Sequence, residues 1–300
     1  MIPFPRWIPL FLVSLGGADL PQELAISVNV DLVVLQATVR DRKGVVPGDL
    51  RKEDFTVFEE GVRQSISVFR HEDLAVTAGL VVDHSGSMRA KLADVVAAAR
   101  AFVRLSSAED EMFVVNFNEN VTLGLLAPIR FTNRQDEISD AVARTGAAGQ
   151  TALYDAVVEG LRQLRGGSRE KKVLVVISDG ADNASRHKLA DVLRLAVQSN
   201  AAIYTIGIFG EDDPDRNPGV LRRLSHATGG EMFIPSPARD VKAICEQIAN
   251  DIRRQYTIGY ASTGTAAAGV FRAIRLKAEA ARHGKLTVRT RSGYVAGGSR

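Results

Sequence analysis

Three oxygen-bearing side chains stand at alternate positions in the run Asp-His-Ser-Gly-Ser, residues 83–87. The carboxylate of Asp83 and the hydroxyls of Ser85 and Ser87 are hard donors, which suit Mg²⁺, Mn²⁺ or Ca²⁺. Their spacing predicts that all three lie on one side of a turning loop, with His84 pointing away. The run therefore indicates a divalent metal site, although an isolated copy is also typical of a loop that caps the following helix.

Two further donors stand beside predicted secondary structure. Thr151 comes just before an amphipathic stretch at residues 152–164, and Asp179 comes just after an apolar run at residues 173–177. An apolar run also precedes Asp83. Because ligand sites in open α/β sheets form at the carboxyl ends of the strands, we expect these donors at one edge of a sheet.

Apolar runs alternate with amphipathic stretches along the middle of the chain, as in α/β folds. The apolar runs, typical of strands buried in a parallel sheet, are residues 78–82, 112–117, 173–177 and 202–206. The amphipathic stretches, which predict helices, are residues 90–105, 152–164 and 188–198. A final helix is predicted at about residues 238–254. Together they predict a doubly wound, mostly parallel α/β sheet over residues 74–254. Residues 121–126 follow the second strand too closely for a helical crossover and predict an antiparallel edge hairpin.

Strand-like patterns occur on both sides of this middle region. Residues 33–39 alternate in part between apolar and polar side chains, and residues 55–58 and 65–69 flank a turn, which predicts a hairpin. Beyond the middle region, strands are predicted at residues 256–261, 271–278 and 285–291. We therefore expect a small β-sandwich built from residues 26–73 and 255–296, with the α/β domain inserted in it.

The Asp-x-Ser-x-Ser run, the Thr-Ala-Leu-Tyr-Asp helix start and the Ser-Asp-Gly strand end occur in this order along the chain. In that order they resemble the metal-ion-dependent adhesion site of the von Willebrand factor type A (VWA) family. The resemblance covers about residues 74–254 and implies a single divalent ion, Mg²⁺ or else Mn²⁺ or Ca²⁺, that serves adhesion to a protein partner. It implies that the ion is surrounded, in part through water, by Asp83, Ser85, Ser87, Thr151 and Asp179. Gln150 departs from the glycine frequent in the family, which affects the loop carrying Thr151 and removes no ligand.

The flanks carry a second, less specific resemblance. The motifs at residues 54–61, 255–260 and 291–294 are similar to a bacterial VWFA-related family of exported proteins. Residues 1–18 fit a secretory signal, with one arginine, an apolar run too short to span a bilayer and small residues before Asp19. The alternative is a partly buried N-terminal arm. We therefore expect an extracytoplasmic protein (periplasmic, envelope-associated or secreted) if the signal is genuine, and a cytoplasmic one otherwise.

Composition narrows the classes of function. A net charge of +3 with 24% charged residues does not indicate a nucleic-acid-binding protein. The eight Lys and Arg residues in 270–300 alternate with apolar residues, as on a solvated strand face. Beyond the N-terminal run, no segment is long and apolar enough to cross a membrane. The single cysteine, Cys245, cannot form an intrachain disulfide and fits the core side of a helix.

Two acidic features near the predicted site have ordinary interpretations. Asp182 is either an acceptor for groups around the site or a cap of the helix that follows it. The acidic stretch at residues 211–215 lacks the ordered ligand spacing of a calcium loop and fits a solvated turn.

Three functions fit these features. The first is a metal-dependent binding module, in which an Asp or Glu side chain of a protein partner completes the coordination of the ion. The second is a metal-assisted hydrolase, for which His84 is the only base nearby in sequence. The third is a structural protein with a stabilising metal. We expect the first, without enzymatic activity.

Overall fold

The computed structural model describes residues 32–210, 214–236, 240–264 and 267–297. Within them the strands are β1 (Leu32–Arg40), β2 (Phe55–Glu59), β3 (Val62–Gln64), β4 (Ile66–Arg70), β5 (Val76–Asp83), β6 (Glu111–Phe117), β7 (Val121–Leu123), β8 (Lys171–Ser178), β9 (Ala202–Gly207), β10 (Met232–Phe233), β11 (Tyr256–Ala261), β12 (Phe271–Ala278), β13 (Thr287–Arg289) and β14 (Gly293–Val295). The α-helices are α1 (Leu92–Arg104), α2 (Gln135–Ala143), α3 (Leu153–Arg165), α4 (Leu189–Gln198), α5 (Pro218–Thr228) and α6 (Val241–Arg253). Short 3₁₀ segments lie at Lys52–Asp54, Gly86–Lys91 and Ala281–His283. The predicted signal at residues 1–18 and residues 211–213 of the acidic stretch lie outside the described residues.

The central sheet has the strand order β10-β9-β8-β5-β6-β7. Its neighbouring strands pair in parallel, except that β7 runs antiparallel to β6. Every residue of β5 and β9 is buried, which explains why these strands consist almost entirely of apolar residues. The predicted α/β sheet and its antiparallel edge hairpin are therefore confirmed.

Helices cover both faces of the central sheet. On one face α1, α2 and α6 pack over a core that includes Leu80 and Ile248. On the other face α3, α4 and α5 pack over a core that includes Val81, Leu161 and Leu224. Leu80 and Val81 are adjacent, and they serve opposite faces because side chains alternate along a strand. Each such fully buried aliphatic side chain stabilises the fold by about 1.5–3 kcal/mol.

Two antiparallel sheets are formed by strands from both ends of the described chain. Their strand orders are β13-β1-β11-β4 and β14-β12-β2-β3. A third core, which includes Leu35, Val57 and Ile258, is shared between them. The α/β fold is thus inserted in a set of antiparallel strands, as predicted. Arg70 of β4 lies opposite Thr257 of β11. The segment that enters the α/β part after β4 and the segment that returns from it to β11 therefore lie side by side.

The hairpin predicted from residues 55–58 and 65–69 is shorter than expected. β2 pairs with β3, and the turn residues Glu60 and Gly61 have positive φ of 48° and 79°, as a two-residue hairpin turn requires. β4 pairs instead with β11 in the other sheet, so the chain changes sheets at Ser65. A period-two pattern cannot distinguish these pairings, because it fixes which side chains face a core but not which strand is the neighbour.

Several elements differ from the predicted ones. The helix predicted from residue 90 begins with the 3₁₀ segment, and regular α-helix starts only at Leu92. α2, α5, β3, β10 and β14 are additional to the predicted elements. None of the described helices is long and apolar enough to cross a membrane.

An ionic cluster joins the sandwich to α6. The Asp251 side chain, which is 1% exposed, accepts hydrogen bonds from Arg40 of β1 at 2.6 Å and from Arg289 of β13 at 2.7 Å. Glu231, just before β10, forms ion pairs with the same two arginines. Buried ion pairs therefore connect the end of α6 to the strands β1 and β13 of the sandwich.

Candidate metal-binding site

Two neighbouring parallel strands end where predicted metal ligands stand. Val82 of β5 lies opposite Ile177 of β8 in the register of the sheet. Asp83, the last residue of β5, and Asp179, which follows β8, therefore reach the same carboxyl edge. Both side chains are fully buried. Strand pairing thus brings together two acids that are far apart in the sequence.

Hydroxyl groups connect the two carboxylates. Ser178 Oγ donates to Asp83 Oδ2 at 2.6 Å, and the N–H of Ser85 donates to Asp83 Oδ1 at 2.9 Å. Ser85 Oγ lies within hydrogen-bond distance of Ser87 Oγ, at 3.2 Å. Ser87 Oγ in turn donates to Asp179 Oδ2 at 2.6 Å. Four of the five predicted ligands therefore form one continuous hydrogen-bonded group.

Thr151 is held at the same edge through its backbone. Its N–H donates to Asn183 Oδ1 at 2.9 Å, and its carbonyl accepts from the N–H groups of Asn183 and Ala184 at 2.9 and 3.0 Å. The loop before it meets the Asp83 loop where the N–H of Gly86 donates to the carbonyl of Gly149 at 3.0 Å. Among the described residues, no side-chain hydrogen bond connects Thr151 to the other four predicted ligands.

The loop that carries Thr151 depends on Gly149. Its φ is +80°, and a Cβ at this position would fall 1.6 Å from Glu119 Oε2. Glu119 also accepts a hydrogen bond from the N–H of Gln150 at 2.9 Å, which fastens the loop. Gln150, which departs from the VWA pattern, contributes only its backbone N–H to this contact. The glycine that the turn requires is Gly149, one residue earlier.

Burial dominates the electrostatics of the site. The pKa of Asp83 is raised to about 6, mainly because the carboxylate is buried, with the charge of Asp179 adding to the effect. Hydrogen bonds from Ser178 and Ser85 act in the opposite direction. A cation next to both carboxylates would offset the cost of burying their charge.

The donor set suits a hard divalent ion. Carboxylate and hydroxyl oxygens are the ligands that Mg²⁺, Mn²⁺ and Ca²⁺ prefer. Within the described parts of the chain, no cluster of three or more His, Cys, Asp or Glu side chains could hold a metal ion. The candidate site differs from such a cluster, because it has only two carboxylates and hydroxyl groups supply the other three of its five side chains. The residues that could hold the ion are Asp83, Ser85, Ser87, Thr151 and Asp179.

Two neighbouring polar side chains have other partners. His84 is buried, with Nε2 3.2 Å from Asn116 Oδ1 of β6, and burial lowers its pKa. Asp182 accepts from Ser185 Oγ at 2.6 Å and from the N–H of Tyr154 at 3.4 Å. Asp182 therefore caps the start of α3, which precedes it in the chain, and not the helix that follows it. The reason is that the loop after β8 folds back over the start of α3.

Three residues around the site escape prediction from sequence. Ser178 holds Asp83, Asn183 holds the backbone of Thr151, and Lys91 Nζ lies 3.3 Å from Asp179 Oδ2. Ser178 belongs to the Ser-Asp-Gly strand end, so the motif itself contains a signal for it. Lys91 stands four positions after Ser87, a spacing that brings it back towards the site only once a helical turn is assumed.

Solved structures with similar folds come from several organisms. An aerotolerance-related membrane protein from Bacteroides fragilis matches with a TM-score of 0.50 and 14% identity, over 59% of this chain and 98% of that chain. Proximal thread matrix protein 1 from the mussel byssus matches with a TM-score of 0.51 and 16% identity, over 65% of this chain and 51% of that chain. The vWF domain of the type V pili tip protein Mfa5 from Porphyromonas gingivalis has a TM-score of 0.48 and 12% identity, over 65% of this chain and 99% of that chain.

Sequence comparison identifies the family directly. No curated protein matches this chain. The family model of the von Willebrand factor type A domain matches residues 79–247, which is more than half of the chain. Domains of this kind are typically protein-interaction modules. The match spans all but the first three residues of the central sheet and includes all five candidate ligands, and the chain therefore belongs to the von Willebrand factor type A domain family.

Proposed function

We propose that this protein is a metal-dependent binding module, for adhesion or scaffolding, which engages an acidic group of a protein partner through one divalent cation. The cation is Mg²⁺, or alternatively Mn²⁺ or Ca²⁺. Its ligands are Asp83, Ser85, Ser87, Thr151 and Asp179. The observation that supports this proposal best is the pair of fully buried carboxylates, Asp83 and Asp179, linked through Ser85 and Ser87.

The charges of the ligand set explain why a partner would be needed. Asp83 and Asp179 supply at most two negative charges, while the other three ligands are neutral hydroxyls. A divalent ion held by this set is only just neutralised, and it is neutralised less where an acid acts through water. The ion therefore keeps affinity for one more anionic oxygen. An Asp or Glu side chain of a partner protein provides such an oxygen in a charge-assisted contact.

The second candidate function, metal-assisted hydrolysis, has less support. It requires a general base beside the metal. His84 is the nearest base in sequence, but its ring is buried against Asn116, and burial lowers its pKa. The third candidate, a structural protein with a stabilising metal, shares the same ligand set, and only the metal dependence of partner binding distinguishes it from the first.

We also propose an extracytoplasmic location. Residues 1–18 have the composition of a secretory signal, and the motifs of the flanks resemble a bacterial family of exported proteins. The Bacteroides fragilis protein that shares the fold is described as a membrane protein. A net charge of +3 gives no reason to expect a nucleic-acid partner.

Partner capture in the presence and absence of metal tests the proposed function. The full chain is immobilised and exposed to envelope extract in Mg²⁺, with Asp83→Asn protein as the matched control. We expect a protein that is retained in Mg²⁺, released by EDTA and not retained by Asp83→Asn. Equal retention in EDTA would contradict the proposal and favour a structural metal.

A further inference from the structure

A cavity of about 220 Å³ lies at the amino-terminal edge of the central sheet, away from the metal site. One wall is the outer face of β1, with Val34 and Gln36. The opposite wall is formed by the start of β8 and by the chain from the end of α4 to the start of β9. Arg291, which follows β13, also lines the cavity. The cavity thus lies where the sandwich meets the α/β part.

Arg291 brings a positive charge to this cavity and forms no ion pair with a carboxylate of the described residues. Its Nη2 donates to the carbonyl of Val34 at 2.9 Å, and its Nη1 donates to Asn200 Oδ1. Both acceptors are neutral. Its Nε is buried and has no hydrogen-bond partner in the part of the chain that the structure describes. A guanidinium that is partly desolvated and faces only neutral acceptors is costly, and burial accordingly lowers the pKa of Arg291.

A second cation lines the same cavity. Lys172 Nζ donates to the carbonyls of Leu164 and Gly167, and no described carboxylate forms an ion pair with it. The acid in the lining is Glu170, which already pairs with Arg70 at 3.1 Å. The cavity therefore has a surplus of positive charge. The rest of its lining includes apolar side chains, among them Val34, Val197 and Ala202.

We propose that this cavity binds a small organic anion, a carboxylate with a short aliphatic body. The carboxylate lies between Arg291 and Lys172, and the aliphatic body lies against Val34, Val197 and Ala202. A cavity of about 220 Å³ is smaller than most sites for drug-sized ligands, which limits the occupant to a few carbon atoms. The site is independent of the metal ion, because it lies at the opposite edge of the sheet.

Calorimetric titration of the full chain with butyrate tests this proposal. EDTA is included, so that the metal site takes no part. We expect saturable binding by the wild-type protein and no saturable binding of butanol, which has a similar body without the charge. Arg291→Gln should weaken butyrate binding roughly ten- to hundredfold, since it removes a charged hydrogen-bond donor. Arg63→Gln, an exposed arginine of β3, should leave the affinity unchanged.

Three outcomes would overturn the proposal. They are the absence of saturable butyrate binding to the wild-type protein, equal affinity in Arg291→Gln, and phosphate binding as tight as that of butyrate. If Arg291→Gln does not fold, Lys172→Gln takes its place and should also lose affinity. Asp83→Asn protein should bind butyrate normally, so failure here and failure of the proposed metal-dependent function are separate results.

Discussion

Lys91 Nζ lies 3.3 Å from Asp179 Oδ2, and the side chains of the two residues are only 11% and 0% exposed. An ammonium group is therefore held against one of the carboxylates that we propose as metal ligands. Any cation that binds between Asp83 and Asp179 meets the positive charge of Lys91. The affinity of the site for metal should accordingly be set by the balance between two buried carboxylates and one lysine.

The first prediction concerns this lysine. Lys91→Met should raise the affinity for Mg²⁺ on the order of tenfold, because it removes a like charge within a few ångströms of the ion. Arg100→Met, an exposed change on α1, should have little effect. Isothermal titration calorimetry measures both. An unchanged affinity in Lys91→Met would show that Lys91 does not oppose the ion, and a lower affinity would show that Lys91 supports the site.

The second prediction concerns the metal itself. Asp83→Asn should lower the affinity for Mg²⁺ at least about a hundredfold, because the amide removes one of two negative charges. The same variant should remain as stable as the wild-type protein in EDTA, since a buried carboxylate without a full counter-charge is costly. Calorimetry and urea unfolding in EDTA measure the two effects. Unchanged metal affinity would refute the assignment of Asp83 as a ligand.

The third prediction separates metal binding from partner binding. Thr151→Ala should weaken partner binding more than it weakens Mg²⁺ binding, because it removes one neutral oxygen and leaves both carboxylates. Thr287→Ala, at an exposed position of β13, is the matched control. The two affinities are measured by partner capture and by calorimetry. If a captured partner binds Thr151→Ala as tightly as the wild-type protein, Thr151 takes no part in presenting the ion.

The fourth prediction concerns the ionic cluster at α6. Asp251→Asn should destabilise the protein by about 1.5–3 kcal/mol, because Arg40 and Arg289 lose their buried carboxylate and keep only the more exposed Glu231. Asp191→Asn removes an ion pair from the exposed surface of α4 and should cost at most about 1 kcal/mol. Urea unfolding measures both free energies. Equal effects of the two changes would show that the cluster does not fasten α6.

The fifth prediction concerns pH. The ring of His71 stacks on Tyr256 with a centroid distance of 4.2 Å, and burial, followed by the charges of Lys171 and Arg254, lowers the pKa of His71 below its usual 6.5. The unfolded chain therefore takes up a proton more readily than the folded protein. The contribution of His71 to the free energy of unfolding is therefore fully present above about pH 6.5. It is lost as the pH falls from there towards the pKa of His71 in the folded protein.

His71→Phe keeps an aromatic ring against Tyr256 and removes this titration. We expect the unfolding free energy of the variant to fall less than that of the wild-type protein between about pH 7.5 and pH 5. Urea unfolding at both pH values gives the comparison. Identical losses in the two proteins would show that other groups determine the acid sensitivity.

The central sheet and the position of Asp83 and Asp179 could be predicted because they follow from local patterns. Apolar runs identify buried parallel strands, and such strands collect their carboxyl ends at one edge. The pairing of β4 could not be predicted, since periodicity does not identify a strand's neighbour. α5 has a recognisable start, because Asn217 caps it and Pro218 occupies its first turn, but its mixed composition weakens the apolar pattern.

The candidate site likewise has features that could be predicted from the sequence and features that could not. The types and order of its ligands are local features of the sequence. The contact between Lys91 and Asp179 and the fit of Gly149 against Glu119 depend on how separate loops approach each other, so they emerge only in three dimensions. The acidic residues 211–213 and the predicted signal lie outside the described residues, so their interpretations remain predictions.

The pairing of Arg70 with Thr257 has a mechanical consequence. The α/β part leaves the sandwich after β4 and returns at β11, and these strands are neighbours joined by an antiparallel ladder. Tension from a protein bound at the edge that carries the candidate metal site would reach the sandwich through both connections, at the same end of that ladder. This tension would break the hydrogen bonds between β4 and β11 one after another, and it would not load all of them at once. The ion pairs of Arg40 and Arg289 with Asp251 hold the end of α6, which leads into β11, and would take up part of the load before the ladder opens.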